Sequence, residues 1–151
     1  MLKRDSLRET LIVAEPIRKT MRGNRSKNTK PEIAMRRALW SAGMRGYRVH
    51  ARDLSGSPDI VFLGPKLVVF IHGCFWHGCP HCSNYRPPRR NAEFWQHKLQ
   101  ENQNRDARVS AELRACGYQV VVVWECQIDS SKDNCVLRIR NALNEVTRDE
   151  R

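Results

Sequence analysis

The chain of 151 residues carries a formal net charge of +11, from 27 Lys and Arg residues against 16 Asp and Glu residues. This length suits one domain with a single sheet and covering helices. Residues 1–30 contain nine basic and three acidic side chains, which favours a nucleic-acid partner over a merely soluble basic surface. No apolar run is long enough to cross a bilayer and no secretory leader is evident. We therefore expect a cytoplasmic protein whose six cysteines are reduced.

A basic arm is predicted over residues 1–28, followed by a single domain over residues 29–151. The arm is polar, partly helical, and expected to become ordered on its partner. The first helix of the domain begins at Thr29 and ends before Gly43. Thr29 and Glu32 have the spacing of a capping box, and glycine is common just after a helix.

The remaining elements alternate between strands and helices. In chain order they are a strand over 47–51, paired strands over 59–63 and 67–72, a helix over 92–116, a strand over 119–124 and a helix over 131–146. Gly64 and Pro65 form the turn of the hairpin. The uninterrupted apolar run 119–124 predicts a central strand covered on both faces. This order predicts an α/β domain with a central mixed sheet flanked by helices.

Four of the six cysteines are grouped in a pattern typical of a closed zinc site. They are Cys74, the CxxC pair Cys79 and Cys82, and Cys126 after a later strand. Four thiolates can surround a structural Zn²⁺ tetrahedrally, and a redox CxxC fits the context less well. Whether His77 or His81 replaces one cysteine is left open. Cys116 and Cys135 are interpreted as buried apolar side chains.

A candidate hydrolytic site surrounds Asp59, at the start of an otherwise apolar strand. Taken alone this carboxylate is a turn cap, but a carboxylate also binds a hard cation such as Mg²⁺. His72 ends the paired strand, so the hairpin brings its imidazole towards Asp59, and His77 lies on the loop that zinc would fix, close to the same edge. Imidazole can accept a proton from water, and a bound metal stabilises charge on a phosphate. Glu32 is explained by helix capping alone.

Large aromatic side chains lie around the cysteine loop. Phe75 and Trp76 stand between cysteines, where burial is hard to arrange, and Trp95 stands near the start of the predicted helix 92–116. Aromatic rings can insert between base pairs, most easily at mismatched steps. Packing in the core and insertion into DNA both stay open as interpretations.

Several tracts closely resemble the very short patch repair endonucleases, the Vsr DNA mismatch endonuclease family. They are Arg25-Ser26-Lys27-Asn28-Thr29-Lys30-Pro31-Glu32, Ser57-Pro58-Asp59-Ile60-Val61, Phe70-Ile71-His72-Gly73-Cys74-Phe75-Trp76-His77, Phe94-Trp95-Gln96-His97-Lys98 with Asn102 and Arg105-Asp106, and Val123-Trp124-Glu125-Cys126. The resemblance extends from about residue 17 to residue 145, in the family's order. It implies a restriction-endonuclease-like fold and a Mg²⁺-dependent nick 5′ to the thymine of a T:G mismatch.

Such mismatches arise when 5-methylcytosine is deaminated. The resemblance therefore also implies a substrate of double-stranded DNA, association with the nucleoid, and a functional link to a cytosine-5 DNA methyltransferase and to mismatch-repair proteins. We expect a monomer.

The resemblance also assigns roles to the candidate residues. It implies that Asp59 binds Mg²⁺, that His77 is the base for the attacking water, and that His72 is a partner on the phosphate side. Glu32 becomes a supporting active-site residue, which does not exclude the cap. Relatives carry Thr where this chain has Ile71, so a role for Ile71 at the metal would fall to its main-chain carbonyl.

For DNA binding, the resemblance implies that Phe75, Trp76 and Trp95 form an intercalating wedge, with Lys98 and Asn102 as further DNA contacts. Structural Zn²⁺ would be held by Cys74, Cys79, Cys82 and Cys126. Some relatives have histidine at the position of Cys79. Two other hypotheses compete with a mismatch nickase: a non-catalytic zinc-bearing DNA-binding module, and a restriction-type nuclease that cuts matched duplex.

Overall fold

The computed structural model describes residues 27–82 and 88–149. Its strands are β1 (Arg48–Val49), β2 (Ile60–Phe62), β3 (Leu67–His72) and β4 (Gln119–Trp124). Its helices are α1 (Lys30–Ser41), α2 (Cys74–His77), α3 (Ala92–Ala115), α4 (Glu125–Ser130) and α5 (Lys132–Asp149). The prediction of a mixed α/β domain is therefore confirmed. No helix among the described residues is long and apolar enough to span a membrane.

The four strands form one sheet in the order β1-β2-β3-β4. The predicted hairpin is confirmed, because β2 and β3 pair antiparallel with Ile60 opposite Val69. β1 pairs antiparallel with β2, and β3 pairs parallel with β4, ending on His72 opposite Trp124. Because parallel strands point the same way, the segments that follow β3 and β4 leave the sheet at the same edge.

Each face of the sheet is covered by a hydrophobic core. On one face the sheet packs against α1, α4 and α5, and fully buried members of that core are Met35, Leu39, Val69, Val123 and Ile139. On the other face the sheet packs against α3, through Val61, Val68, Val109 and Leu113. Burying one such side chain stabilises the fold by about 1.5–3 kcal/mol, so the two cores hold the sheet between its helices.

The beginning of α1 matches the sequence prediction. The Thr29 hydroxyl accepts a hydrogen bond from the Glu32 N–H at 3.5 Å, and Pro31 occupies the first turn. Gly43 follows the helix with a φ of +77°, a conformation that glycine adopts without a steric penalty. This cap fixes the direction in which the Glu32 side chain leaves the helix.

The prediction that 119–124 is a central strand is wrong for the described sheet, in which β4 is the last strand. Both of its faces are nevertheless covered: Val121 and Val123 pack into the first core, and Val120 and Val122 into the second. An apolar run therefore reports coverage of the two faces and does not distinguish an edge strand from a central one.

Two short helices, α2 and α4, were not predicted, since four and six residues are too few for a helical periodicity to show. β1 is shorter than the predicted strand 47–51. Residues 1–26 of the predicted arm lie outside the described residues, as do residues 83–87. The restriction-endonuclease-like assignment stays a prediction.

Candidate active site

The Asp59 side chain ties the hairpin together at the sheet edge. It is half-buried just before β2, and its Oδ2 accepts a hydrogen bond from the Ile71 N–H on β3 at 2.7 Å. Burial raises the pKa of Asp59 to about 6, while the Ile71 bond lowers it and the nearby Glu32 carboxylate raises it further. A carboxyl whose negative charge is this poorly compensated is chemically suited to a cation.

Glu32 is buried next to Asp59, with a relative exposure of only 5%. Its carboxylate accepts hydrogen bonds from the Asn28 N–H at 3.0 Å and the Thr29 hydroxyl at 3.2 Å. A third donor is His50, whose Nε2 lies 2.9 Å from Glu32 Oε2. Ligand atoms of Glu32, His50 and Asp59 lie within 4.8 Å of one another, so this group could hold a metal ion.

A second histidine is paired with a carboxylate across the same cleft. His77 Nδ1 lies 2.6 Å from Asp106 Oδ2, linking the end of α2 to α3. Because an ionised carboxylate can only accept, the hydrogen belongs on Nδ1 of a neutral His77 ring. The lone pair of His77 then lies on Nε2, where it can accept a proton.

His72 lies against His77 at the end of β3. The two imidazole rings are stacked, with centroids 3.9 Å apart and planes 5° apart, and the Trp124 ring packs against His72 edge-on at 5.2 Å. Burial, followed by the proximity of His77, lowers the pKa of His72 to about 4. His72 is therefore neutral at physiological pH and offers one N–H donor and one lone pair.

A cleft of about 800 Å³ collects these groups. Its lining includes all four predicted catalytic residues, Glu32, Asp59, His72 and His77, together with Ile71, Phe75, Trp76, Lys27, Arg105 and Asp106. The predicted approach of both histidines to Asp59 is therefore seen in the fold. A cleft lined by carboxylates, imidazoles and two cationic side chains suits a phosphodiester and a divalent cation.

The four predicted cysteines also come together. Sγ atoms of Cys74, Cys79, Cys82 and Cys126 lie within 4.8 Å of one another, a group that could hold a metal ion. The Cys79 and Cys126 Sγ atoms are 3.6 Å apart, and a tetrahedral site with Zn–S bonds of about 2.3 Å requires roughly 3.8 Å. Sγ of Cys79 accepts a hydrogen bond from the His81 N–H, and Sγ of Cys74 accepts one from the Cys126 N–H, each at 3.4 Å.

Partial burial raises the pKa of Cys126 to about 11, and burial raises the pKa of Cys74 further still. Such thiols ionise at neutral pH only when a cation is bound, so the cluster fits a metal. The histidine alternatives are not favoured: His77 pairs with Asp106, and the His81 side chain is exposed.

The predicted wedge residues form one aromatic cluster beside the cleft. Phe75 lies 5.1 Å from Trp76 and 5.2 Å from Trp95 between ring centroids, in edge-on contacts. Phe75 and Trp76 are half-buried, whereas Trp95 is buried at 6% exposure. The buried Trp95 indole N–H has no hydrogen-bond partner among the described residues.

The two further residues predicted to bind DNA lie on α3 and differ in exposure. Lys98 is half-buried, with its Nζ 3.8 Å from Glu101. Asn102 is buried at 6% exposure and its Nδ2 donates to the Trp76 carbonyl at 2.8 Å. In this conformation Asn102 therefore holds the backbone that carries the Trp76 ring.

Comparisons with known proteins identify the relatives of this chain. The family model of the DNA mismatch endonuclease Vsr matches residues 14–84. The type II nicking enzyme V.XorIIP of Xanthomonas oryzae pv. oryzae is 46% identical over 120 residues, covering 80% of this chain and 86% of that protein. The DNA mismatch endonuclease Vsr of Escherichia coli K12 is 36% identical over 110 residues, covering 73% of this chain and 69% of that protein.

The chain belongs to the Vsr family. It is an endodeoxyribonuclease, and the resemblance inferred from the sequence motifs is confirmed. A further relative, the type II nicking enzyme V.NmeAIP of Neisseria meningitidis serogroup A, is 41% identical over 121 residues, covering 80% of this chain and 84% of that protein. This family membership excludes the hypothesis of a non-catalytic DNA-binding module.

Two residues of this Vsr-family site were missed by sequence reasoning. His50 was read only as part of a strand, and no motif signals that its ring reaches Glu32 across 18 positions. Asp106 lies on α3 in a tract that resembles the family, and this position in the tract is the one sequence signal available for it.

The raised pKa of Asp59 predicts a stability effect. The pKa of Asp59 is about 6 in the folded state, against an ordinary value of 3.8. Between these two pH values the folded state keeps a proton that the unfolded state has lost. Above about pH 6 this difference lowers the free energy of unfolding by up to about 3 kcal/mol. Asp59→Asn keeps an acceptor for Ile71 and removes the charge. It should raise the melting temperature at pH 8 without added divalent cation, and the gain should vanish by about pH 4.

Thermal unfolding across this pH range measures the effect. Asp129→Asn, on the exposed end of α4, removes the same charge and should change the melting temperature little at any pH. A destabilised Asp59→Asn variant at pH 8 would show that the ionised carboxylate is well compensated by its neighbours.

Proposed function

We propose that this Vsr-family endonuclease nicks one strand of double-stranded DNA 5′ to the thymine of a T:G mismatch, with Mg²⁺ held by Asp59. The observation that carries the proposal is the His77–Asp106 pair in one cleft with Asp59. Relatives named as nicking enzymes and as a mismatch endonuclease support the choice of reaction and substrate.

His77 acts as the general base in this proposal. Asp106 holds the hydrogen on Nδ1 and leaves Nε2 with its lone pair facing a water in the cleft. As that water attacks the phosphorus, its proton passes to Nε2, and the Asp106 carboxylate stabilises the imidazolium that forms. The bond between phosphorus and the deoxyribose oxygen of the neighbouring nucleotide breaks, and that oxygen leaves as an alcohol after taking up a proton from solvent. The Asp–His arrangement resembles in logic the orienting pair of serine hydrolases.

The remaining groups of the cleft stabilise negative charge on the scissile phosphate or attract the DNA backbone. A bound Mg²⁺ would supply Lewis-acid stabilisation of the negative charge on the scissile phosphate, and Asp59 with the main-chain carbonyl of Ile71 would hold it. His72, neutral because of its burial, donates its N–H to a phosphate oxygen. Lys27 and Arg105 on the cleft lining attract the DNA backbone.

The cysteine cluster would hold structural Zn²⁺. The four thiolates leave no open position on a tetrahedral ion, so its role is to fix the chain. Cys74 begins the helix that ends at His77, and Cys126 lies in α4 directly after β4. Metal binding here therefore sets the position of the base.

Phe75 and Trp76 would form the wedge that enters the base stack beside the mismatch. The buried Trp95 ring packs against both of them. Both rings are half-buried and line the cleft, so a wedge formed by them would put recognition next to cleavage. Mismatched steps resist unstacking least, so such a wedge favours T:G over a matched pair. The buried Trp95 N–H gains access to a polar partner if the cluster opens on DNA.

The decisive experiment is cleavage of an end-labelled duplex with one T:G pair. The unaltered chain should nick only the thymine strand, in Mg²⁺ but not in EDTA, and Asp106→Asn should lower kcat by about 10²–10⁴-fold because His77 loses its oriented tautomer. Single-turnover rates measured on a denaturing gel report the change.

Asp129→Asn, which removes a carboxylate from exposed α4, should cleave normally in the same assay. Absence of cleavage by the unaltered chain on any mismatched duplex would contradict the proposal. Cleavage of both strands of the matched duplex would select the restriction-type alternative instead.

Zinc content provides a separate test of the cysteine assignment. The chain should bind one zinc ion, and Cys126→Ser should lose it together with several kcal/mol of stability, since binding energy of a structural metal contributes to folding. Cys116 is exposed at the end of α3, so the prediction that it is buried is wrong. Cys116→Ser is therefore the matched control and should keep its zinc. Elemental analysis of the dialysed proteins measures the ratio, and full zinc retention in Cys126→Ser would refute the assignment.

The wedge assignment is tested by Trp76→Ala. Loss of a stacked ring should reduce the preference for T:G over matched duplex by about 1–3 kcal/mol of binding free energy, measured by fluorescence anisotropy. Trp40→Ala truncates an indole that is 56% exposed on α1 and should leave the preference unchanged. If Trp76→Ala unfolds at room temperature, its ring is a core residue and the wedge is elsewhere.

A further inference from the structure

We propose that His50 Nε2 is a ligand of the divalent cation held by Asp59, and that this nitrogen makes the site bind Mn²⁺ in preference to Mg²⁺. The inference rests on the proposed function, since it needs a cation at Asp59. His50 lies outside the motifs found in the sequence, so no role was predicted for it.

Backbone hydrogen bonds hold His50 directly opposite Asp59, next to the paired strands β1 and β2. His50 follows β1, and its N–H donates to the Asp59 carbonyl at 3.2 Å. The neighbouring Ala51 N–H donates to the Pro58 carbonyl, also at 3.2 Å. His50 has a φ of +49°, an uncommon conformation for a side-chain-bearing residue. These bonds fix the Cα of His50 beside the carboxylate and aim its ring at Glu32.

The spacing of the side chains fits two neighbouring ligands of one ion. His50 Nε2 and Glu32 Oε2 are 2.9 Å apart, and adjacent ligands of an octahedral ion with bonds of about 2.1 Å lie roughly 3.0 Å apart. Ligand atoms of His50, Glu32 and Asp59 fall within 4.8 Å of one another. The His50 side chain is only 16% exposed, so water competes with it poorly.

The donor set decides which cation this arrangement prefers. Mg²⁺ selects oxygen ligands, whereas imidazole nitrogen suits transition metals, and Mn²⁺ accepts both nitrogen and carboxylate oxygen. Two carboxylates alone would not favour Mn²⁺ strongly. If Nε2 bound the ion, the neutral ring would carry its hydrogen on Nδ1. The hydrogen bond between His50 and Glu32 would then be lost, and both side chains would bind the cation instead.

Two rival arrangements give different results. In the first, His50 only positions Glu32 through its hydrogen bond and never contacts the ion. In the second, the ion binds at the other imidazole group of the cleft, where ligand atoms of His72, His77 and Asp106 also lie within 4.8 Å of one another.

The test uses the zinc-loaded chain bound to a synthetic duplex that already carries the nick, so that no reaction occurs. Calorimetric titration should give tighter binding of Mn²⁺ than of Mg²⁺. His50→Gln can still donate to Glu32 but lacks the imidazole; it should weaken Mn²⁺ binding at least about tenfold and change Mg²⁺ binding less than about twofold. Equal losses for the two ions, or none, would assign His50 to positioning alone.

Electron spin echo spectroscopy of bound Mn²⁺ provides a direct readout. The unaltered chain should show nitrogen modulation, which disappears in His50→Gln and in a second variant, His50→Asn. His97→Gln, on an exposed histidine of α3, should keep it. Modulation lost in His77→Gln but kept in His50→Gln would place the ion at the other imidazole group and overturn the proposal.

Asp59→Asn separates this inference from the proposed function. If that variant binds both ions as tightly as the unaltered chain, the cation site at Asp59 is itself wrong. If Asp59→Asn loses both ions while the unaltered chain shows no nitrogen modulation, the Asp59 site stands and only the His50 inference fails.

Discussion

The parallel pairing of β3 with β4 is the constraint on which the site depends. Its last register pair is His72 opposite Trp124, so both strands stop at one edge of the sheet. Cys74 and Cys126 each follow two residues later, and this common offset brings thiols from distant parts of the chain into one cluster. The same edge receives Asp59, because the hairpin places its Oδ2 against the Ile71 N–H.

The site concentrates negative charge that the fold itself does not neutralise. Glu32 is buried with three donors around its carboxylate, whereas Asp59 has one described donor and an elevated pKa. Burying a carboxylate without a partner opposes folding, and such unfavourable arrangements are common at functional sites. The unfavourable burial of ionised Asp59 is therefore consistent with a cation-binding site. A bound cation would offset the repulsion between the Asp59 and Glu32 carboxylates.

Local patterns in the sequence predicted much of this molecule. The Thr29 cap, the hairpin and the long helix α3 follow from short-range rules, and the cysteine spacing predicted the cluster of four thiols. Contacts that depend on packing at a distance were not predictable in this way. His50 reaches Glu32 only because β1 pairs with β2, and Asp106 reaches His77 only because α3 packs on one face of the sheet and contacts α2. The position of β4 at the end of the described sheet was missed because helices cover its faces as completely as they would a central strand's.

The long helix α3 contacts both the candidate base and the backbone of a candidate DNA-binding ring. Asp106 binds the His77 ring, and one turn earlier Asn102 binds the Trp76 carbonyl, so the helix holds neighbouring residues of α2 at two points. Any movement of the Trp76 backbone on binding DNA must therefore strain or break the Asn102 bond. The adjacent His77 ring would shift with it unless Asp106 kept its hold. Under the proposed roles of Trp76 in DNA binding and of His77 as the base, these two bonds would couple a shift of the Trp76 backbone to the orientation of the His77 ring.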